Sequence, residues 1–523
     1  MRIYKYIAIS SILILFFPGC VSLDEELEDS FGQEAMLSDP QLASKYLNAA
    51  YAILMGDYIY YTRPMVMPPI LASDDSYYTR SIFPNRMNID EFTWDPTDGL
   101  YTGVWGPAYS SITTCNTFID NFTEGASEEF RNNPLGEAHF LRALNYFNLV
   151  TYFGHVPLIL DSKLTADEIQ NIGQAPIEEV YDQIVEDLLL AQNLKVQWDM
   201  DNRGRATRAA AMALLGKVYL YMASPGILNK SEYYSKAAKI FEELYSNSAE
   251  LGIGLMPTFQ EVFYRSAEYG PEMVFELGAN GPGVNGVINL LSGQSQPWIF
   301  EDIPLGMNEG WGINVAELDL FNCFADEDAR KEVTFITYWL VDLQTRGYGP
   351  LDDTIYYYDL ARVPEMTPFT ADDRFIGEIR DTTPHCGKWR WPENVNLLEP
   401  QDDINVPVIR YADCLLMWSE AELMANGPSA KALTGINLVR ERANLEALSG
   451  LGADQLMDSI RLERRRELAL ELGYRWFDLV RWDIQGEIPA LVAKGIGNKK
   501  YFPIPQAEID ASGGILIQNQ DVP

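Results

Sequence analysis

Long stretches of this chain repeat apolar residues every three or four positions, and two gaps show no period at all. The clearest stretch is GEAHFLRALNYFNLVTYFGHVPL, residues 136 to 158. Phe140, Leu144, Phe147 and Val150 follow one helical row and Leu141, Leu149 and Tyr152 a second, while Ala138 and Ala143 leave room for close neighbours. Only Arg142, Asn145 and Asn148 make a polar strip. A helix apolar around most of its circumference is predicted to lie between other helices, with Arg142 and Asn145 paired inside. Gly154 and Pro157 end it.

The same period predicts a helix from Asp39 to Met55, with Leu42, Tyr46, Ala49, Ala50 and Ile53 on one face, and further helices at 102–122, 176–194, 205–222 and 233–245. After the second gap it returns at 409–427, at 429–445 and in a run from Ala453 to Arg481. Helices of this length with pairwise Ala, Leu and Tyr contacts resemble tetratricopeptide-type hairpins in a degenerate register. In the last run Met457, Ile460, Leu462, Leu468, Leu470 and Leu472 point in all directions. That helix is expected to be buried, so Glu463, Arg464, Arg465, Arg466, Glu467 and Glu471 should form a paired network. Arg464 and Glu467 are the expected local pair. Residues 56–101 and 251–405 fill instead with Pro, Gly, Asn, Asp and aromatics, and only PEMVFELG (271–278) reads as a strand. Non-periodic stretches this long inside a compact protein are usually ordered functional loops.

The N-terminus adds a destination. Arg2 and Lys5 precede an apolar run from Ile7 to Phe17, then Pro18, Gly19 and Cys20. The run is too short for a spanning helix, which needs about 20 residues, and has the form of an export signal. The small residue before Cys20 resembles a bacterial lipoprotein signal in which the cysteine is lipidated, although Phe17 and Pro18 depart from the usual pattern. The acidic VSLDEELED after it resembles the surface-export signal of lipoproteins in Bacteroidetes-type bacteria. The division expected is a signal peptide at 1–19, an acidic lipid-anchored tether at 20–38 and one domain at 39–523, its helical scaffold mainly at 39–55, 102–250 and 406–482.

Charge and cysteines narrow the chemistry. With 39 Lys plus Arg against 75 Asp plus Glu the net charge is −36. Such a field repels phosphate backbones, so nucleic acid is a poor partner and a neutral or cationic ligand is favoured, although solubility alone would also account for it. Cys115, Cys323, Cys386 and Cys414 are scattered without metal-ligand spacing, and with only His139, His155 and His385 besides they read as buried thiols; no metal or other cofactor is expected.

Taken together, the segments resemble the SusD/RagB family of outer-membrane nutrient-binding lipoproteins. The resemblance rests on WGPAYSSITTCNTFID, FLRALNYFNLVTYFGHVPL, PIEEVYDQIVEDL, RATRAAAMALLGKVYLY, PEMVFEL, VPVIRYADCLLMWSEAE, INLVRERANL, ERRRELALELGYRWFDLVRW and YFPIPQAEI with Gln518 and Asn519, in that order. Where the family usually has Phe-Glu-Gly this chain has Leu470, Glu471, Leu472 and Gly473. The resemblance implies a mainly α fold of tetratricopeptide-like units cradling an irregular, ligand-facing half with a few short strands. It also implies a place at the outer membrane through the lipid anchor, exposed at the cell surface, and a SusC-type TonB-dependent transporter as partner.

A sugar presents a face of C–H groups and a rim of hydroxyls, so it calls for flat aromatic platforms and a few polar side chains. The irregular regions hold both. Tyr77, Tyr78, Trp298, Trp311 and Trp339, with Asp74 and Asn308, are the candidate contacts to a neutral oligosaccharide, and Trp94, Trp105 and Trp389 are expected in the core. Enzyme signals are poor. GPGVNG (281–286) matches a dinucleotide fingerprint without the helix or the acidic residue that should follow. There is no G-x-S-x-G, H-E-x-x-H or P-loop. The expected function is therefore non-catalytic capture of oligosaccharide or polysaccharide for the transporter. A peptide- or other nutrient-binding lid is the alternative, and a glycan hydrolase a weaker one.

Overall fold

The periodic stretches are helices, and strands and loops collect in the two gaps. The computed structural model describes residues 39–56, 65–78, 84–122, 126–278, 314–336, 338–340, 354–356, 384–388 and 405–520. Cys20, Trp298, Asn308, Trp311, Trp389 and the GPGVNG turn lie outside them. The ten principal helices are α1 (Asn48–Met55), α2 (Gly99–Phe122), α3 (Gly136–Phe153), α4 (Ile177–Leu190), α5 (Arg208–Ala223), α6 (Glu232–Ser246), α7 (Tyr411–Asn426), α8 (Ala430–Arg442), α9 (Ala453–Glu467) and α10 (Tyr474–Trp482). Local sequence sets their ends. Thr207 and Ser429 accept the backbone N–H of Ala210 and Ala432 at the starts of α5 and α8. Gly154 ends α3 at φ 74°, where a Cβ would strike the Tyr501 ring at 2.8 Å.

Each helix packs on the next from α1 to α7, and α7 packs on both α8 and α9, so the scaffold is a stack of helix pairs in chain order. Every residue of α3 except His139 is buried. Its polar strip is the joint of three helices. Arg142 places a fork on Asp187 of α4 at 2.8 and 2.7 Å and donates to Asn116 of α2 at 2.9 Å, while Asn145 donates to Ser111 of α2 at 3.0 Å. Close packing recurs between α7 and α8, where a Cβ on Gly435 would lie 2.1 Å from the Leu415 carbonyl oxygen.

The strands are β1 (Ser76–Tyr78), β2 (Met273–Leu277), β3 (Asn314–Ala316), β4 (Phe335–Ile336), β5 (Tyr338–Leu340), β6 (Thr354–Tyr356), β7 (His385–Cys386) and β8 (Val406–Arg410). They form an antiparallel sheet in the order β1-β3-β7-β4 and two ribbons, β2-β8 and β5-β6. A small second core of Phe259, Phe263, Leu320, Phe324, Phe335, Cys386 and Leu470 includes residues of β4 and β7. Of the four thiols, Cys115, Cys386 and Cys414 are buried and Cys323 is half-buried. Burial pushes Cys115 up to about 12 and Cys323 up to about 11, which keeps both as unreactive thiols.

Three sequence expectations need correction. Residues 406–410 are a strand before α7, because pairing with β2 captures them. The run from Ala453 to Arg481 is not one helix. Leu470, Leu472 and Gly473 adopt φ of 58°, 38° and 70° and turn the chain, so α9 and α10 are separate and Leu468, Leu470 and Leu472 are all buried. Nor do Arg464 and Glu467 pair. Arg464 reaches Asp413 at 2.7 Å and Asp478 at 2.8 Å, while Glu467 receives Arg410 at 3.0 Å, Arg330 at 3.2 Å and Arg442. Both groups are buried, and their partners come from packed neighbouring elements that bring opposite charge to each of them.

The network is otherwise as burial requires. Arg410 also binds Glu272 (2.8 Å) and Glu471 (2.9 Å), Lys388 binds Glu471 (2.6 Å), Arg330 binds Asp328 (2.8 Å) and Glu463 (2.6 Å), and Arg481 forks onto Glu420 at 2.5 and 2.7 Å. Burial alone would raise the pKa of Glu467, but Arg442, Arg410 and Arg330 hold it well below the usual carboxylate range; Asp413, Asp478 and Asp187 are likewise lowered against burial by their cationic partners. Groups depressed on folding contribute stability above their unfolded values near 4 and lose it as pH falls through the acid range. The melting temperature should therefore drop steadily below about pH 4.5. Glu467→Ala, which takes a shared buried carboxylate from three guanidinium groups, should cost about 3–5 kcal/mol in denaturant unfolding; a loss under about 1 kcal/mol would show the network to be as weak as a surface pair.

Candidate functional site

The turn before β1 is clamped from the scaffold. Asp74 accepts a fork from Arg475 of α10, Nε at 2.7 Å and Nη2 at 2.8 Å. Arg465 of α9 donates to Asp75 at 2.7 Å, to the Asp74 carbonyl oxygen at 3.1 Å and to Asp319 at 2.8 Å. At the far end of β1 the Tyr78 N–H donates to Asp90, whose other carboxylate oxygen lies 2.7 Å from Lys494 Nζ. The opposite edge of the sheet is held by the same helix. Arg330, five residues before β4, and Lys388, two after β7, reach the α9 network described above. A strand of three residues has too few ladder bonds to hold itself, so these ion pairs set its position.

What the clamp presents is the end of β1. Side chains alternate along it: Tyr78 is 7% exposed and faces the core, while Tyr77 is half-buried on the other face. Tyr77 lies opposite Val315 and Tyr78 opposite Asn314. The chain enters β3 at the end where it leaves β1; Trp311, three residues before β3 in the sequence, lies outside the described residues. Two segments more than 230 positions apart in sequence are thus joined by one strand pair. Trp339 is not brought to that end. It lies in β5, opposite Ile355, and the chain reaches β5 from the other end of β4.

Asp74 and Tyr78 are therefore reassigned by geometry. Asp74 is 5% exposed with both carboxylate oxygens taken by arginine, and although burial pushes its pKa up, the Arg475 fork and Arg465 hold it below the ordinary value. It anchors the turn rather than reaching a ligand. Tyr78 is a core residue. Trp94 and Trp105 are buried as read; the Trp94 indole N–H donates to the Ile89 carbonyl at 3.1 Å and its ring lies 4.9 Å from that of Phe502. Sequence reasoning missed Arg475, Lys494 and Asp90. The signal for Arg475 was a charge inside a buried run, but its partner stands 401 positions away.

Comparison with known proteins fits this division. A SusD family model matches residues 317–498, and a second, described as starch-binding associating with outer membrane, matches 23–220. This chain belongs to the SusD/RagB family. The two matched stretches of this SusD/RagB protein meet at the clamp, since Asp74 and Asp75 lie in one and Arg465 and Arg475 in the other. Trp298, Asn308 and Trp311 lie between them. Among curated relatives, SusD-like protein P2 of Formosa agariphila is 26% identical with 99% of each chain covered, and starch-binding protein SusD of Bacteroides thetaiotaomicron is 23% identical over 81% of this chain and 79% of its own. A laminarin binding SusD-like protein of known structure superposes with a TM-score of 0.73 at 26% identity, covering 92% of this chain and 99% of its own. A SusD homolog from B. thetaiotaomicron at 21% identity gives 0.76 over 92% and 97%, and shares the fold.

Arg475→Ala should leave Asp74 with Arg465 alone, at 3.4 Å. The expected result is a loss of about 3 kcal/mol, with amide exchange at Ser76–Tyr78 accelerated more than in α3. Equal acceleration in both elements would mean that the fork stabilises the whole fold and not this strand.

Proposed function

We propose that this protein is a non-catalytic, surface-exposed lipoprotein that binds neutral oligosaccharide or polysaccharide and delivers it to a SusC-type TonB-dependent outer-membrane transporter. The observation that carries the reading is the β1–β3 pair, which sets Tyr77 opposite Val315 on a mount clamped by the half-buried Arg465 and Arg475, with Trp311 three residues before β3 in the sequence. Aromatic rings on a rigid mount offer a sugar face contact area at low entropic cost, and Asn308 supplies an amide for the hydroxyl rim. Tyr77, Trp298, Trp311 and Asn308 are the proposed contacts, with Trp339 of β5 as an outlying one. Relatives are named for binding laminarin and starch. The net charge of −36 disfavours an anionic ligand. In the same reading Cys20 carries the lipid and residues 20–38 hold the domain off the outer membrane.

Calorimetric titration of the domain with starch, laminarin, xylan and mannan oligosaccharides should find at least one binder, and Trp298→Ala and Trp311→Ala should each weaken it about tenfold, or about 1.4 kcal/mol. No release of new reducing ends is expected. Tight binding of peptides with none to any saccharide would replace this reading with that of a peptide-importing lid.

A further inference from the structure

One cavity is lined by residues of neither β1 nor β3. It has a volume of about 390 Å³, within the range of small-molecule sites, and lies between residues 196–207, which cross from α4 to α5, and the segment that leads into β2. Its walls are held from outside. Arg205 donates to Glu137 at 2.9 Å and to the Ser44 carbonyl at 3.0 Å, and the Trp198 indole N–H donates to the Ala206 carbonyl at 2.9 Å. Tyr269 is fixed at φ 56°, a strained conformation for a non-glycine residue, with its N–H donated to the Glu276 carboxyl.

The lining combines flat rings, Trp198 and Tyr269, with the polar groups of Gln197, Arg203, Glu268 and Glu276. Charge selects among guests. Lys195 already lies 4.8 Å from the centre of the Trp198 ring and Arg203 4.7 Å from that of Tyr269, so a cationic guest would meet cations already in place. The carboxyl group of Glu268 opposes an anionic one. A neutral guest with both hydroxyl donors and acceptors meets neither objection, and ring faces suit its C–H surface. Glu276 is 3% exposed, and burial together with Glu268 pushes its carboxyl up to about 8, so at neutral pH it carries a proton and donates as well as accepts.

We propose that this cavity is a second saccharide site, taking a terminal ring or two of a neutral glycan between Trp198, Tyr269, Arg203 and the two glutamates. It shares the ligand class of the proposed function but rests on separate residues, so either can fail alone. The test is hydrogen exchange of the whole domain with millimolar maltohexaose, laminarihexaose, xylohexaose and mannohexaose, read at 196–207, at 265–278 and at Ser76–Tyr78. At least one probe should slow exchange several-fold at 196–207 and 265–278. Arg203→Ala should abolish that slowing with an unchanged melting temperature, since Arg203 is exposed. Glu276→Gln, which keeps the shape of the wall, should weaken it. Slowing at Ser76–Tyr78 alone overturns the second site and leaves the proposed function standing. Slowing at 196–207 alone does the reverse, and slowing that survives Arg203→Ala, or none with any probe, overturns the second site.

Discussion

A carboxylate that meets three guanidinium groups away from water cannot release any of them without leaving charge stranded in a medium that solvates it poorly. Glu467 is in that position, and its partners come from three parts of the chain: Arg330 from the irregular half, Arg410 from β8 and Arg442 from the end of α8. Its neighbours on α9 and the following turn extend the arrangement. Glu463 takes Arg330 and Arg440, and Glu471 takes Arg410 and Lys388. One helix and one turn therefore tie the stacked scaffold to the half that carries the short strands.

That tie explains how strands of two and three residues keep a defined place. Such elements bury too little apolar area and make too few ladder bonds to persist alone. Here the sheet is gripped at both edges by charges from α9 and α10, and a small second core containing Leu470 packs with β4 and β7. The left-handed turn at 470–473 follows from the same demand. A straight helix would aim Glu471 and Leu470 along a continuous spiral, whereas the turn sends one to Arg410 and Lys388 and the other into the second core.

The cations so committed matter for the surface. Many of the arginines of this acidic protein are buried with carboxylate partners, so the exposed face carries the negative excess and discriminates against anionic guests. In the proposed reading, ligand recognition falls to aromatic rings and neutral hydrogen-bonding groups outside the helical stack, so that scaffold and recognition surface can vary separately.

The chain by itself determined the helices, because a 3.6-residue period of apolar side chains is local information. α3 was legible to its polar strip, and so was the burial of Glu463, Arg464 and Glu467 in α9, whereas Arg465 and Arg466 are half-buried and Leu462 is exposed. What only the tertiary structure decided is who pairs with whom. Asp74 looked like a ligand contact because it stands beside tyrosines in a loop, yet Arg475 claims it from 401 positions away. Arg464 and Glu467, neighbours on one helix turn, each take other partners. The run from Ala453 to Arg481 breaks where two cores compete for its leucines. Ion pairing and core allocation are settled by desolvation among elements distant in sequence, and no local pattern encodes which distant charge will be buried opposite.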